Sequence, residues 1–509
     1  MPGQVDQRSS TPGLAPDHRI AVIGAGVTGI ATAALLADRG YTPVVFEASG
    51  RIGGQVRSVN VTAGVAVELG AEAIFAAAGM PQLFTACSND IVRARRLRTW
   101  IGVPTGTGSS GWIPPGEIAG QPAVTLRRLP HGVTPAGPTR LLPVASSRIL
   151  SPTGLLRAAT ELVRTRSHIT DQTSVGQLVT ERFGRQLAQR IVDPLLGNLH
   201  GADIFRLEAR SCAPQLVDQL TANRSVLAAT LRRSRRRPSP VHPGSAADVP
   251  GFATAVSGLQ RVIEQLAGGT DVRLGQPVQA IVKTAGGSYQ IVGPTGAPTS
   301  TPHSATETFA AVVIATGAAS AARMLADVTD IPTTLGRCPT SSVTCVVVAY
   351  PQAAVESLSA FDASGIMLPS NFGGMLKSAT FLSAKWPHLD LPPQFLVRMS
   401  TGRFGDTRAN DLSDAEVTDR LHGELSAITG LRATPEQVAV HRWTHTLPVN
   451  EIGHSQRIQA ARNSLGVHRP GVVLAGAAFD GPGLANCLRS AERAVLQVID
   501  HLGDRTPHA

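Results

Sequence analysis

Residues 19–54, RIAVIGAGVTGIATAALLADRGYTPVVFEASGRIGG, decide the fold of this chain. The apolar run 20–23 reads as a strand buried on both faces, as in a parallel sheet. Gly24, Gly26 and Gly29 follow in the spacing G-x-G-x-x-G. The first turns the chain out of the strand, the second lets a pyrophosphate approach the backbone, and the third lets the next helix pack close to the sheet. Residues 30–38 supply that helix, whose N-terminal dipole and free N–H groups favour a diphosphate. A second strand over 43–46 ends on Glu47, eighteen residues past the third glycine, where a carboxylate accepts hydrogen bonds from ribose hydroxyls. A glycine triplet alone marks only a tight turn. Strand, glycines, helix, second strand and terminal acid in this order mark a dinucleotide site.

The next residues choose the dinucleotide. Glu47-x-x-x-Arg51-x-Gly53-Gly54 follows the second strand directly. This resembles the signature of the large flavin family that contains the amine oxidases, the phytoene-type desaturases and the protoporphyrinogen oxidases. The resemblance implies FAD, held without a covalent link, with Arg51, Gly53 and Gly54 along the flavin.

At 509 residues the chain calls for two or three domains. A hydrophobic content of 42% with 16% charged residues is that of a folded globular protein, and no apolar run reaches the length of a membrane span. Residues 1–18 are polar and rich in proline and glycine, lack the apolar segment of a secretory signal, and read as a disordered tail. Cys87, Cys212, Cys338, Cys345 and Cys487 show no C-x-x-C spacing, which suggests a reducing, cytoplasmic compartment and no structural metal. Each reads as a small buried apolar residue rather than a nucleophile.

The net charge of +10 comes almost wholly from two clusters: Arg93, Arg95, Arg96 and Arg98, then Arg232, Arg233, Arg235, Arg236 and Arg237. Local clusters with 4% aromatic residues do not make a nucleic-acid surface. The second cluster leads into Pro238, Pro240, Pro243 and Gly244, so it reads as part of an exposed basic loop over 231–250.

Further along, a short strand over 65–69 ends in Gly70-Ala71-Glu72. The flavin family carries a comparable step near the reactive ring, where Glu72 would be either a charged group of the site or, the preferred reading, an orienter of a backbone amide. Short β-like pieces over 100–103 and 124–126 precede two helices, 152–165 and 174–195, the second capped by Ser174. Then comes an ordered string, Phe183-Gly184, Asp193-Pro194-Leu195-Leu196, Gly201 and Arg210-Ser211-Cys212-Ala213-Pro214. It is similar to one in the helical domain of protoporphyrinogen and coproporphyrinogen oxidases. Phe381-x-Ser383-x-Lys385-Trp386, Gly402-Arg403-Phe404-Gly405, Arg442-Trp443 and Leu447-Pro448 resemble the actinobacterial members.

The same resemblance implies that residues 251–266 form a glycine-led segment before a helix and that Val278 lies on a strand against the adenine. It returns Ala315 to the FAD sheet and brings Gly476, Asp480, Gly483, Leu484 and Ala485 beside the flavin ring and pyrophosphate. His454 reads as structural, in a loop ahead of a helix over 455–461, because a lone histidine without a visible partner is weak evidence for a base.

The expected fold is α/β: a Rossmann-like FAD-binding domain with a helical insertion and an antiparallel β-sheet substrate domain. The FAD-binding parts are 19–92, 251–325 and 466–503, the mainly helical insertion is 93–250, and the substrate-binding domain is 326–465. The implied reaction is dehydrogenation of a porphyrinogen, most like the coproporphyrinogen branch. Hydride would leave a methylene bridge for the flavin, with molecular oxygen as the final acceptor. The cofactor then carries the hard chemistry, and no catalytic side chain is assigned. Arg96, Arg98 and Arg127 are candidates for substrate carboxylates, with surface charge as the plain alternative. A monomer or homodimer fits, and peripheral membrane contact through the helical insertion stays open.

Two departures matter. Val449-Asn450 stands where porphyrinogen oxidases usually have Gln-Tyr, and residues 198–202 replace a Gly-Val-Tyr-Ala-Gly-like turn. They leave room for an oxidase or desaturase of a specialised metabolite on the same fold. A non-redox protein that uses FAD as a scaffold is the third reading.

Overall fold

A computed structural model describes residues 18–62, 64–75, 82–86, 89–95, 98–104, 124–134, 137–164, 167–236, 251–294 and 307–503. Its first sheet has five strands in the order Asp271–Arg273, Thr42–Phe46, Arg19–Ile23, Ala311–Ile314 and Val472–Leu474, and every neighbouring pair is parallel. Helices cover both faces, which is why the strands read as unbroken apolar runs. Ile20 and Val22 pack towards the helices Val27–Ala37 and Leu484–Leu502, while Ala21 and Ile23 pack towards Ala318–Met324, Ile331–Leu335 and His454–His468. A small antiparallel sheet, Ala280–Lys283, Tyr289–Val292 and Thr308–Phe309, leans on this core, with the Tyr289 hydroxyl donating to Pro470 O at 2.6 Å.

The second large sheet has seven strands in the order Gln437–Pro448, Thr340–Pro351, Gln394–Thr401, Leu376–Phe381, Gly365–Met367, Thr99–Pro104 and Val124–Arg128. Val346, Val348, Val397 and Met399 bury one face against the helix Asp414–Thr429, whose Ser413 and Glu416 make a capping box. By the two-residue period of a strand, Cys345, Val347, Arg398 and Ser400 take the opposite face. Two expectations need correction here. Thr99–Pro104 and Val124–Arg128 belong to this sheet rather than to a helical insertion, and Thr99–Pro104 pairs with Gly365–Met367 in parallel. The pieces were visible locally and pair with each other, but the strand that ties them into the sheet, Gly365–Met367, lies far along the chain, and short-range patterning carries no information about such pairing.

The remaining part is helical, with a buried core that includes Val175, Val179, Leu187, Ile191 and Leu207. The expected single helix over 174–195 is broken. Val175–Phe183 stops at Gly184, whose φ of +94° no other residue adopts without strain, and Ala188–Gly197 is wound as a π-helix around Pro194. Proline lacks the N–H that an α-helical turn needs, and the wider turn accommodates that loss.

The expected basic loop over 231–250 is also corrected, because Val226–Arg236 is a helix; residues 237–250 lie outside the described residues. The Glu161 carboxylate anchors its start, accepting from Val226 N at 2.9 Å and Ser225 Oγ at 2.6 Å and pairing with Arg182 at 2.7 Å, both side chains fully buried. Cations near a helix C-terminus are favoured by its dipole, so a basic run in a sequence is compatible with helix as well as loop.

Candidate active site

The glycine turn sits at the carboxyl edge of the parallel sheet. A Cβ on Gly29 would come within 1.9 Å of Gly24 O, so the third glycine is required by the packing of helix on strand. Gly26 differs: its backbone is extended and a Cβ there meets nothing nearer than Gly54 Cα at 3.8 Å. The space beside it is open to a ligand. No side chain caps the helix Val27–Ala37, and none caps Leu484–Leu502, which begins at Gly483. Val27 and Leu484, the first residues of these two helices, line one apolar cavity of about 20 Å³. Two bare helix N-termini therefore meet at the sheet edge, an arrangement that favours a diphosphate.

Glu47 closes this edge. Its carboxylate accepts from Ala25 N and Ser49 N, each at 2.8 Å, and spare lone pairs remain for hydroxyl donors. Gly53 N donates to Ala25 O at 2.9 Å and lays the Gly53-Gly54 step against Gly26. Arg51 ties that step down through Val56 O at 3.0 Å and lies over the Trp443 ring. Ala315 N donates to Ile23 O, and Gly476 N donates to Ser490 Oγ at 2.7 Å, its φ of +110° turning the chain beside Thr28. Val278 is not on a strand, as expected from sequence, but in the extended segment before Ala280–Lys283. Gln276 N donates to Glu47 O at 2.8 Å and brings that segment to the end of the second strand. Asp480 is committed to side chains: Arg462 at 2.8 Å, Arg493 at 2.9 Å and Ser490. Leu484 and Ala485 open the final helix.

Gly70-Ala71-Glu72 links this edge to the seven-stranded sheet. Ala71 N donates to Gln55 O at 3.1 Å, Trp443 Nε1 to Leu69 O at 2.8 Å, and Arg398 Nη2 to Gly70 O at 2.6 Å. Glu72 does not orient a backbone amide. Its Oε1 accepts from Lys385 Nζ at 2.6 Å and Trp386 Nε1 at 2.9 Å, and its Oε2 from Arg398 Nη1 at 3.1 Å. Burial alone would raise its pKa, but Lys385 and Arg398 outweigh burial and hold it down at about 2.

Nearby Glu68 has the opposite fate. Its Oε1 accepts from Leu259 N at 2.7 Å and Ser58 Oγ at 2.8 Å, its Oε2 has no partner among the described residues, and burial raises its pKa to about 7. A folded-state pKa above the unfolded value of about 4.3 means that ionisation opposes folding, so this cost grows as pH rises from about 4 to 7. Glu68→Gln keeps the acceptor for Leu259 N–H. The variant is expected to match the wild type near pH 4 and to exceed it by up to ~3 kcal/mol above pH 7. Urea unfolding across this range tests it; a pH-independent difference would refute the assignment.

Sequence reasoning missed the centre of the site. Arg398 and Lys377 lie within strands, where a lone cation among apolar residues was the only signal. Lys377 is 4% exposed and has no hydrogen-bond or ion-pair partner among the described residues. The two departures, 250 residues apart in the chain, meet at one seam. Asn450 O accepts from Glu208 N at 2.9 Å and from the Cys212 thiol, which contacts His200 Nδ1 at 3.6 Å. Asn198 donates to Leu368 O and Lys377 O and accepts from Arg403 Nη2 at 2.8 Å.

His454 is the first residue of the helix His454–His468, not a loop residue ahead of it. Its ring nitrogens have no partner among the described residues, and burial lowers its pKa to about 4, so it stays neutral near pH 7. Of the arginine candidates, Arg98 pairs with His131 at 3.2 Å, Arg127 lies partly exposed on an edge strand, and Arg96 lies outside the described residues. Cys87 also lies outside them. The described residues include no cluster of three or more His, Cys, Asp or Glu suited to a metal, and no described helix is long and apolar enough to cross a membrane.

Comparison with known proteins agrees with this geometry. The flavin containing amine oxidoreductase family matches residues 27–499. Coproporphyrinogen III oxidase of Bacillus subtilis is 26% identical over 494 residues, covering 95% of this chain and 98% of that protein. The enzyme of the same name from Propionibacterium freudenreichii is 26% identical over 534 residues, covering 98% and 94%. Among solved structures, one assigned provisionally to a protoporphyrinogen oxidase from Exiguobacterium sp. 255-15 has a TM-score of 0.76 at 23% identity, covering 97% of this chain and all of that one. Reduced UDP-galactopyranose mutase has a TM-score of 0.64 at 14% identity, covering 96% of each chain. With the family matched over nearly its whole length and oxidases as its full-length relatives, this protein is a flavin-dependent oxidoreductase, a member of the flavin containing amine oxidoreductase family.

Proposed function

We propose that this protein is an FAD-dependent oxidase that dehydrogenates a porphyrinogen, most like coproporphyrinogen III, with oxygen as acceptor. The observation that carries this reading is end-to-end similarity to coproporphyrinogen III oxidases, combined with two cations, Arg398 on the seven-stranded sheet and Lys385 on the short helix Leu382–Lys385, that meet the Gly70–Glu72 step. The open space at Gly26 and the paired helix N-termini fit the FAD pyrophosphate, with Glu47 for the ribose and the Val278 segment for the adenine. Arg51, Gly53, Gly54, Gly70, Ala71, Ala315, Gly476, Gly483, Leu484 and Ala485 would complete the cradle; Asp480 would brace it from behind. Non-covalent attachment fits the cysteines, since burial raises the Cys212, Cys338 and Cys487 thiols.

When bound, FAD supplies a two-electron acceptor. The chain binds and orients. The Glu72 ion-pair cluster fixes the strand that faces the reacting groups, and Trp386 and Trp443 shield it from water. The seam at Asn198 and Asn450 favours a second reading, an oxidase of another metabolite with the flavin site retained.

Anaerobic mixing with coproporphyrinogen III tests both. Bleaching of the flavin absorbance, followed by enzyme-dependent porphyrin fluorescence on admitting air, is the expected result. Flavin that stays oxidised in a protein that holds FAD well would overturn the porphyrinogen assignment. A flavin that no candidate substrate bleaches would point to the non-redox reading.

A further inference from the structure

One buried cation of the seven-stranded sheet, Lys377, has no carboxylate acting on it among the described residues. Glu72 already serves two cations, Lys385 and Arg398. Lys377 has none of that compensation. It is 4% exposed, its ammonium has no hydrogen-bond or ion-pair partner among the described residues, and the charged groups that act on it are the cations Arg403 and Arg398 and the Cys345 thiol. A buried cation without a counter-ion is among the costliest features a fold retains. Here it stands in the strand Leu376–Phe381, where methionine or leucine would carry no such cost.

Arg403 acts on Lys377 and is itself attracted by Asp193, Asp406 and Asp203. Its Nη2 donates to Asn198 Oδ1 at 2.8 Å and Leu368 O at 2.9 Å, while Nε and Nη1 have no partner among the described residues. Asp193, on the π-helix, attracts Arg403 electrostatically but accepts its hydrogen bond from Ser370 N at 2.6 Å. Asn198 fixes both cations at once: its Oδ1 holds the Arg403 guanidinium and its Nδ2 donates to the backbone of Lys377 at 3.2 Å. Lys377 is thus the cation left without a counter-ion among the described residues, next to the Arg398 guanidinium that binds the Gly70–Glu72 step. Ammonium and guanidinium donors with no protein acceptor suit an oxyanion.

We propose that Lys377 and Arg403, positioned by Asn198, form an anion subsite that binds a carboxylate side chain of the substrate. This rests on the porphyrinogen reading for the identity of the ligand, but the subsite itself does not. Asn198 belongs to one of the two departures from the porphyrinogen-oxidase pattern, so this subsite would distinguish the chain's substrate orientation from theirs. The Lys377 pKa is lowered to about 8, first by burial and then by Arg403 and Arg398. A bound carboxylate would raise it again, so ligand affinity should fall as pH rises past about 8. The other groups facing Lys377 are Arg398 and Arg403, which remain charged, and the Cys345 thiol, while burial raises the pKa of Asp193 beside Arg403.

The test uses the flavin-loaded enzyme and two non-reacting probes, coproporphyrin III and its tetramethyl ester, with binding read by fluorescence quenching. Flavin content and circular dichroism check that the variants fold. In Lys377→Met the acid is expected to bind about ten- to a hundredfold more weakly, and the neutral ester as in wild type. Lys377→Arg should restore the acid and remove the affinity loss above pH 8. Equal affinities for the acid in wild type and Lys377→Met would overturn the subsite. If the wild type binds neither porphyrin, the porphyrinogen reading fails, and benzoate becomes the probe, read by perturbation of the flavin spectrum. A benzoate response lost in Lys377→Met supports the subsite, and one that persists refutes it.

Discussion

Glu72→Ala is expected to destabilise the protein by about 3–5 kcal/mol, more than any single surface change. The carboxylate is the shared counter-ion of Lys385 and Arg398 and also accepts from the Trp386 indole. Its removal strands two buried cations, and stranded charge costs more than the ion pair itself contributes. Lys385 keeps partial compensation from the Phe252 and Trp386 rings, whose centroids lie 5.1 and 5.0 Å from its ammonium, whereas Arg398 keeps only neutral acceptors.

The pH dependence has a definite sign. The folded-state pKa of Glu72 is depressed to about 2, so its contribution is fully present above the unfolded value of about 4.3 and is lost as pH falls towards 2. Wild type should therefore weaken faster than Glu72→Ala across this acid window. Urea unfolding at pH 7 and at steps below pH 5 measures both effects. A loss under about 1 kcal/mol at pH 7 would mean that solvent already screens the cluster. Replacing Glu72, Lys385 and Arg398 together by methionine should recover most of the loss, because no unpaired charge then remains.

The second large effect separates two glycines of the same motif. Gly26→Val is expected to give a colourless protein with flavin affinity reduced at least about a hundredfold, yet an apoprotein within about 1 kcal/mol of wild type. The backbone at Gly26 is extended, with φ −73° and ψ 179°, which valine adopts readily, and a Cβ there meets nothing nearer than Gly54 Cα at 3.8 Å, on the side where a pyrophosphate would pass. Gly29→Ala should fail for the opposite reason. Its Cβ would lie 1.9 Å from Gly24 O, so helix and strand must separate before any ligand is considered. Flavin content and apoprotein unfolding, measured on both variants, distinguish the two cases. Flavin retained by Gly26→Val would show that the pyrophosphate does not pass this residue.

The amino-acid sequence by itself determined the flavin edge. Ile20 to Ile23, the glycine triplet, the helix from Val27 and Glu47 are adjacent in the chain, and each has a short-range signature: an apolar run, a turn that needs glycine, a helical stripe, an acid at a strand end. The tertiary structure alone decided the rest of the site. Glu72 meets Lys385 across 313 positions and Arg398 across 326, so nothing near Glu72 in the chain reveals that it is a counter-ion rather than an amide orienter. The same holds for the pairing of Thr99–Pro104 with Gly365–Met367, for Asn198 against Arg403, and for Lys377, which sequence alone shows only as a rare lysine. Charge compensation and strand pairing depend on which distant segments are brought together, and that is a property of the packed chain.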